Sequence, residues 1–382
     1  MKRKSRMGAR QIFGGLFAVF ALIVGLVVAP TAAADRAAAA PGQAAPGHPA
    51  QPSKFLLVAG IDVGQIAVMR VHDNGRLSLL RHYPTGRMSM SLKVAQDGRT
   101  VYVSHVADSA ITVYRLSDTG VLRPIQKFST PMPPVTVVPS VDSKYLFAAM
   151  GMGKVATYRI TPSGALARTG LAAEQLGGTI APMVTVDPNG KFVRVTSAFE
   201  NAVKSYRIGP GGKLLPIGRV STGMTPVNGM TTPDNRFFYV AHEDTFNVIG
   251  YRILPSGNLV QIGNWYTGPI THEARVSPDG KWLYAPAVGG GGVTVFRILG
   301  NGQLAKLKGS PFNPGGPIST STLVVPNPRL PFVYAVDTLS PGQGGGTHVK
   351  TMRVLPNGAL KAVASTDMGL NTIDGPVAAL AG

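Results

Sequence analysis

Short apolar runs separated by turn-forming residues fill the chain from Phe55 to its C-terminus. Within them, an aromatic residue or Met, then Arg, then an aliphatic residue recurs seven times, as in Tyr114-Arg115-Leu116. A Gly stands five residues after each Arg, and a Leu stands two residues beyond each Gly. Each copy predicts one β-hairpin, because Gly accepts a tight turn with positive φ and Leu begins the next strand. The repeated Args are Arg70, Arg115, Arg159, Arg207, Arg252, Arg297 and Arg353.

A second hairpin signal lies between these units. Asp97-Gly98-Arg99, Asn189-Gly190-Lys191 and Asp279-Gly280-Lys281 each precede a run of aromatic or β-branched residues. Asx-Gly pairs favour tight hairpin turns, so each repeat holds two hairpins and four strands. The repeated Args are 45, 44, 48, 45, 45 and 56 residues apart, which is the length of a propeller blade. The pattern predicts an all-β fold, a seven-bladed β-propeller of four-stranded blades.

The two ends of the chain predict how the ring closes. Residues 55–58 match the second strand of the other repeats, and residues 375–380 match a first strand. We therefore expect the C-terminal strand to join the N-terminal blade. Closure of this kind removes the exposed strand edges that an open array would present.

The repeat of Tyr-Arg, Gly-x-Leu, Pro-Asp-Gly and Tyr-Val resembles the lactonase-type seven-bladed propellers, which include propeller-type 6-phosphogluconolactonase and carboxymuconate lactonizing enzyme. It is also similar to the YVTN-repeat surface proteins. The resemblance covers residues 55–382 and implies active-site His, Arg and Glu side chains at the mouth of a central channel. The Gly-Pro-Arg-His stretch of active members is not reproduced. Its nearest equivalents are residues 269–273 and 317–320.

The N-terminus predicts export. Five basic residues within the first ten precede an uninterrupted apolar or small-residue run, and Ala32-Ala33-Ala34 offers a cleavage site. We interpret residues 1–34 as a Sec-type signal peptide, with an uncleaved membrane anchor as the alternative, residues 35–53 as an Ala/Pro/Gly-rich flexible linker, and residues 54–382 as the propeller. The expected location is secreted or extracytoplasmic, and membrane contact is expected only if the N-terminal segment stays attached.

Composition narrows the chemistry. The chain has no Cys, which excludes thiol nucleophiles, zinc–thiolate sites and haem attachment through Cys. The net charge is +19, but many basic residues recur in every blade as part of the repeat, and no nucleic-acid recognition motif is present. We expect a monomer with no cofactor and no nucleic-acid partner, whose ligand is a small molecule or an extracellular protein or polymer.

One predicted first strand carries residues that a strand does not need. His272, Glu273 and Arg275 stand where the preceding blade has Val227, Asn228 and Met230. A His titrates near neutral pH, a carboxylate orients it, and an Arg binds a carboxylate in bidentate geometry. Strand alternation places Glu273 and Arg275 on one side and His272 on the other. The structural alternative is a Glu–Arg ion pair that stabilises the channel wall.

Polar residues also mark the loops between second and third strands, at the same end of the predicted ring. His242, in one of these loops, is a second candidate base. The other polar residues of these loops are candidate substrate contacts. Sparse acidic residues in neighbouring blades leave open a cation held by oxygen ligands, but no spacing is specific for calcium and we predict no metal site. The candidate contacts are Glu243, Asp244, Glu200, His105 and Asp108, and the sparse acids are Asp62, Asp337 and Asp374.

Two leading functions remain open from the sequence, and a periplasmic-type cofactor or metal binder is a third alternative. The first is an exported lactonase-like hydrolase or cyclase acting on a small lactone or carboxylated ring, with His272 or His242 as base, Glu273 orienting it and Arg275 holding an anion. The second is a non-catalytic propeller that binds a protein or cell-wall polymer. Propellers support both, so the fold does not decide between them.

Overall fold

The computed structural model describes residues 54–176, 182–315, 320–338, 346–372 and 377–382. The predicted signal peptide and linker lie outside these residues, as do Asp374 and residues 317–319. The part of the chain that the structure describes contains no helix with the length and hydropathy of a membrane span.

The described residues fold into strands, with a single turn of 3₁₀-helix at Pro210–Gly212. In chain order the first strands are β1 (Phe55–Ala59), β2 (Gln65–Val71), β3 (Leu77–Pro84), β4 (Ser89–Val94), β5 (Thr100–His105), β6 (Ala110–Leu116), β7 (Leu122–Ser129), β8 (Pro134–Pro139), β9 (Tyr145–Met150), β10 (Lys154–Ile160), β11 (Leu166–Arg168), β12 (Glu174–Gln175), β13 (Met183–Val186), β14 (Phe192–Ser197) and β15 (Ala202–Ile208). The remaining strands are β16 (Leu214–Ser221), β17 (Pro226–Thr231), β18 (Phe237–His242), β19 (Asn247–Ile253), β20 (Leu259–Tyr266), β21 (Arg275–Val276), β22 (Trp282–Ala287), β23 (Gly292–Ile298), β24 (Leu304–Lys306), β25 (Ser321–Pro326), β26 (Phe332–Asp337), β27 (His348–Val354), β28 (Leu360–Asp367) and β29 (Val377–Ala381).

These strands form seven antiparallel sheets among the described residues, and the predicted seven-bladed β-propeller is confirmed. Blade 1 has the order β29-β1-β2-β3, and blades 2 and 3 comprise β4–β7 and β8–β11. Blades 4 to 7 comprise β13–β16, β17–β20, β21–β24 and β25–β28. The short β12 adds a further pairing to β10 in blade 3. Each predicted Arg-Gly-Leu unit forms the hairpin between the third and fourth strands of its blade.

The predicted ring closure is also confirmed. β29 pairs antiparallel with β1, from Ala59 opposite Val377 to Phe55 opposite Ala381. The innermost strands β29, β4, β8, β13, β17, β21 and β25 contact one another in that order, and β25 returns to β29. Because the first and last described strands share one sheet, the ring has no open blade edge at its seam.

Apolar side chains fill the spaces between adjacent blades. One such cluster joins blades 7 and 1 through Tyr334, Leu56 and Ala378. At the hairpin turns the blades come so close that Gly75, with φ of 78°, would place a Cβ 2.4 Å from the Phe332 ring. The repeated Gly therefore serves both the turn and the contact with the neighbouring blade.

The candidate site residues selected from the sequence lie at one end of the ring. There the connections between blades and the loops between second and third strands surround the central channel, and we call this end the mouth. Each first strand begins at the mouth, since Ser89 of β4 pairs with His105 at the end of β5, and Pro226 of β17 with His242 at the end of β18. First-strand residues further along the chain therefore lie deeper in the channel.

Candidate functional site

His272 and Glu243 meet at the mouth. The Nδ1 atom of His272, just before β21 in blade 6, lies 2.6 Å from Oε1 of Glu243 in the β18–β19 loop of blade 5. Their side chains are 18% and 13% exposed, so the pair is largely enclosed while retaining contact with solvent. A carboxylate on Nδ1 fixes the imidazole orientation and stabilises its protonated form. The partner of His272 is thus Glu243, rather than the Glu273 that the sequence suggested.

Glu273 pairs instead with Arg275. The Arg275 Nη2 atom donates to Oε1 of Glu273, and both side chains are about one-fifth exposed, at 21% each. Ala274 between them is fully buried in the apolar cluster between blades 5 and 6. His272 contacts blade 5, while Glu273 bridges to Leu323 of blade 7. The two pairs therefore have different neighbours, and the strand predicted from His272 onwards begins only at Arg275, with an isolated bridge at Glu273.

A lysine faces this second pair from across the channel. Lys93 lies on β4 of blade 2 and pairs with Tyr102 in the same register that Arg275 of blade 6 has with Tyr284. Blades 2 and 6 are not neighbours in the ring, so the two side chains can approach only through the channel. Burial, then the Arg275 cation, lowers the Lys93 pKa from 10.5 to about 8, and Glu273 partly opposes this. The channel thus holds two facing cations and one carboxylate.

The remaining residues at this depth are uncharged. They take the equivalent first-strand register in the other five blades and are Ala379, Val138, Thr185, Met230 and Val325. Sequence reasoning selected Arg275 because it differs from Met230 in the preceding repeat, but it did not select Lys93. The same comparison extended to all seven repeats would have found Lys93, which differs from its counterparts in the same way.

His242 and His105 are buried rather than presented to the channel. Each ends the second strand of its blade and has 0% exposure. Nε2 of His242 lies 2.7 Å from the Thr222 hydroxyl and accepts from the Gly223 N–H at 3.0 Å. Nε2 of His105 lies 3.0 Å from the Thr112 hydroxyl. Burial lowers the pKa of both to about 4, so both rings are neutral at pH 7. This environment favours a structural role for each.

The other candidate substrate contacts, in the loops around the mouth that form its rim, each make separate local contacts. Asp108 accepts from Nε of Arg87 at 3.1 Å, and hydrogen bonds from Arg87 oppose burial and lower its pKa. Asp244 accepts from the Thr225 hydroxyl.

Glu200 forms ion pairs with residues of its own blade. It lies 3.0 Å from Lys204 and 3.6 Å from Arg219, both in blade 4. None of these rim contacts joins the His272–Glu243 pair. Of the predicted substrate contacts, the structure therefore brings Glu243 alone against a predicted catalytic residue.

Acidic residues elsewhere at the mouth do not gather around one point. Asp62 accepts from the Thr372 hydroxyl at 2.6 Å, and Asp337 is fully buried and accepts from the Thr320 N–H at 3.1 Å. Within the described ranges, no three His, Asp or Glu side chains are grouped to hold a metal ion.

Comparison with known proteins shows which family this chain is similar to. A family model described as "Lactonase, 7-bladed beta-propeller" matches residues 28–139. The 6-phosphogluconolactonase of Pectobacterium carotovorum is 26% identical over 191 residues, which span 49% of this chain and 57% of the relative. The corresponding enzyme of Pectobacterium atrosepticum is 28% identical over 193 residues, again 57% of its length. The chain is thus similar to the lactonase-type seven-bladed β-propellers. The match spans little more than half of these curated relatives.

Solved structures show the same propeller fold. A putative 6-phosphogluconolactonase from Bacteroides fragilis superposes with a TM-score of 0.71 at 18% identity, covering 88% of this chain and 100% of that chain. The periplasmic gluconolactonase of Pseudomonas aeruginosa superposes with a TM-score of 0.71 at 20% identity, covering 86% and 99%. At these identities the likeness concerns the architecture, and the chemistry must be argued from the side chains of this chain.

Proposed function

We propose that this lactonase-type propeller is an extracytoplasmic hydrolase that opens a small lactone at the channel mouth, with His272 as its general base. The observation that carries the proposal is the 2.6 Å contact between His272 Nδ1 and Glu243 Oε1. A base oriented by a carboxylate is the arrangement that water activation requires. The 6-phosphogluconolactonase relatives and the periplasmic gluconolactonase support a sugar lactone as substrate and a location outside the cytoplasm.

The proton follows a simple path in this proposal. Nε2 of His272 takes a proton from water, and the resulting hydroxide attacks the lactone carbonyl carbon. Glu243 on Nδ1 stabilises the imidazolium that forms. When the tetrahedral intermediate collapses, the ring carbon–oxygen bond breaks and the imidazolium returns its proton to the departing ring oxygen. The product is an open-chain hydroxy acid, and His272 is restored.

Arg275 supplies the positive charge for the developing oxyanion. Its guanidinium is held by Glu273, and it also donates to the Ala274 carbonyl at 3.4 Å. A guanidinium fixed in this way needs no rearrangement when negative charge appears on the substrate oxygen. Loss of one such donor typically costs a factor of about 100 to 1000 in kcat.

The test is hydrolysis of a lactone panel by the full chain, comprising glucono-δ-lactone, 6-phosphogluconolactone and a muconolactone. We expect His272→Ala to reduce kcat at least about 100-fold, and Glu243→Gln to reduce it less, because the base remains but loses its orienting carboxylate. His72→Ala is the matched control, since His72 lies in the β2–β3 turn at the opposite end and contacts Ser78. The control variant should retain full activity.

The turnover of wild type, His272→Ala and the control variant distinguishes catalysis by His272 from its alternatives. Turnover that disappears in His272→Ala but not in the control supports the proposal. No turnover of any lactone, or turnover unchanged by His272→Ala in a folded protein, contradicts it.

The second function, a non-catalytic binding platform, is favoured by apolar side chains exposed on one sector of the mouth. Met152, Phe199 and Met224 lie in consecutive loops of blades 3 to 5 and are 70%, 59% and 56% exposed. A contiguous apolar patch formed by such side chains would mark a contact surface for a ligand or a protein. An inactive wild-type protein would make this the leading function.

A further inference from the structure

Lys93 is a partly buried cation on the channel wall, and the described residues give it no counter-charge of its own. It makes no hydrogen bond or ion pair with any residue in the described ranges, whereas Arg275 opposite it is paired with Glu273. A cation that is partly withdrawn from water is stabilised when an anion pairs with it. Near neutral pH the sum of Lys93, Arg275 and Glu273 is one positive charge, held inside a channel whose other residues at this depth are uncharged.

Among the described residues, the channel wall around Lys93 offers no alternative partner at this level. The equivalent positions of the other blades carry Val138, Thr185 and Met230 on one side and Val325 and Ala379 on the other. The nearest titratable neighbour on the adjoining strand is Tyr102. Its hydroxyl donates to the Gly164 carbonyl at 3.0 Å, and burial raises its pKa, so it stays neutral. The groups that act on the Lys93 charge are therefore Arg275 and Glu273.

We propose that the channel binds one small oxyanion, a carboxylate or a phosphate group, between Lys93 and Arg275. The ammonium supplies a point charge from blade 2 and the guanidinium a donor fork from blade 6, which together suit the oxygens of one such group. This site lies deeper than the His272–Glu243 pair and does not require that pair to be catalytic, although it shares Arg275 with the proposed hydrolysis. The Lys93 ammonium titrates near pH 8, so the site weakens as pH rises above that value.

The test follows Lys93 directly in the full chain. The lysines are dimethylated with ¹³C-formaldehyde, and the methyl resonance of Lys93 is identified from its absence in Lys93→Met. The resonance is titrated with pH alone, with sodium acetate, and with inorganic phosphate at constant ionic strength. We expect the Lys93 resonance to titrate near pH 8 and to move to higher pH in the presence of the oxyanion that binds. The acetate and phosphate arms show which group the site accepts.

Calorimetric titration of unmodified variants with the same two anions completes the test. Binding should be at least tenfold weaker at pH 10 than at pH 7, and at least tenfold weaker in Lys93→Met. Lys93→Arg keeps the charge and should retain binding at pH 10. Lys127→Met is the matched control, because Lys127 lies at the rim 3.6 Å from Asp108, and its loss should change nothing.

Two results would overturn the inference: a Lys93 resonance that responds to neither anion, or equal affinity in wild type and Lys93→Met. His272→Ala separates this inference from the proposed hydrolysis. That variant should lose turnover while it retains the affinity of the channel for the anion. A protein that binds acetate or phosphate through Lys93 but opens no lactone would contradict the proposed function alone.

Discussion

Arg194 and Asp187 form a fully buried ion pair in blade 4, and the pair explains how one repeat departs from the others. Arg194 stands where blades 5 and 6 have Tyr239 and Tyr284. Tyr239 donates to the Gly302 carbonyl of the next blade at 2.8 Å, and Arg194 donates to the equivalent Gly257 carbonyl at 2.9 Å. Arg194 thus preserves the contact between blades, while Asp187 balances the charge that it introduces.

The pair predicts strong coupling between the two positions. Arg194→Tyr alone should lower the free energy of unfolding by about 3–5 kcal/mol, because Asp187 remains charged and buried. Adding Asp187→Ser restores the Ser-Tyr combination of Ser277 and Tyr284 in blade 6, and should recover most of the loss. Urea unfolding of both single variants and the double variant measures the coupling. Additive losses would contradict this account.

At the scale of the element, the two buried histidines hold the connections between blades. His105 lies against the connection from β3 to β4, and His242 against that from β16 to β17. The close fit is visible at Gly86 and Gly223, where a Cβ would lie 2.4 Å from the His105 ring and 2.9 Å from the His242 ring. Blade 6 has Ala287 at the equivalent position, which packs near Gly268 but has no imidazole to hydrogen-bond the connection. The histidines therefore position mouth loops rather than face the channel.

These histidines predict a loss of stability in acid. Burial lowers both pKa values from 6.5 to about 4, so between these values the unfolded chain binds protons that the folded chain does not. Their contribution is complete above pH 6.5 and falls as pH drops towards 4. It should reach on the order of 2–3 kcal/mol per histidine. Urea unfolding at pH 7 and pH 4.5 tests this, with His105→Gln/His242→Gln beside wild type.

The double variant tests whether His105 and His242 cause the loss of stability in acid. It should lose much less stability than wild type between the two pH values. His72→Gln controls for a histidine exposed at the opposite end. An equal loss in wild type and in the double variant would show that other groups cause the acid sensitivity.

At the scale of the whole molecule, the seam in blade 1 makes stability depend on the last residues of the chain. β29 covers the inner edge of β1, whose residues Phe55 to Ala59 are all fully buried. Ala378 and Ala381 of β29 are themselves buried, at 6% and 3% exposure. Without β29, the backbone groups of β1 that pair with it would lose their partners, and the ring would open at the seam.

Deletion of residues 377–382 should therefore lower the Tm by about 5–10 °C, far more than the loss of a few terminal residues normally would. Removal of Gly382 alone retains every β29 pairing and is the matched control. Differential scanning calorimetry of the two truncations measures the effect. An unchanged Tm in the longer deletion would contradict closure through β29.

Local patterns were sufficient to predict the blades and their closure. The spacing of Arg, Gly and Leu determines each outer hairpin, because turn conformation depends on residues adjacent in sequence. Repetition of a unit that buries its faces only against neighbours then determines a ring. The sequence also predicted the pairing of Glu273 with Arg275, because residues two apart on a strand share a side. This pairing was the structural alternative to a catalytic role.

The contacts of the candidate site depend on packing between blades. His272 meets Glu243 because blades 5 and 6 are adjacent, and Lys93 faces Arg275 because the ring closes around a channel. Neither relation is encoded in the spacing of the residues concerned, and the burial of His105 and His242 likewise depends on the connections folded over them. The sequence by itself determined the repeating unit, the number of blades and the seam. The tertiary structure decided which charges are paired, which are buried and which face the channel, because these depend on distances between residues far apart in the chain.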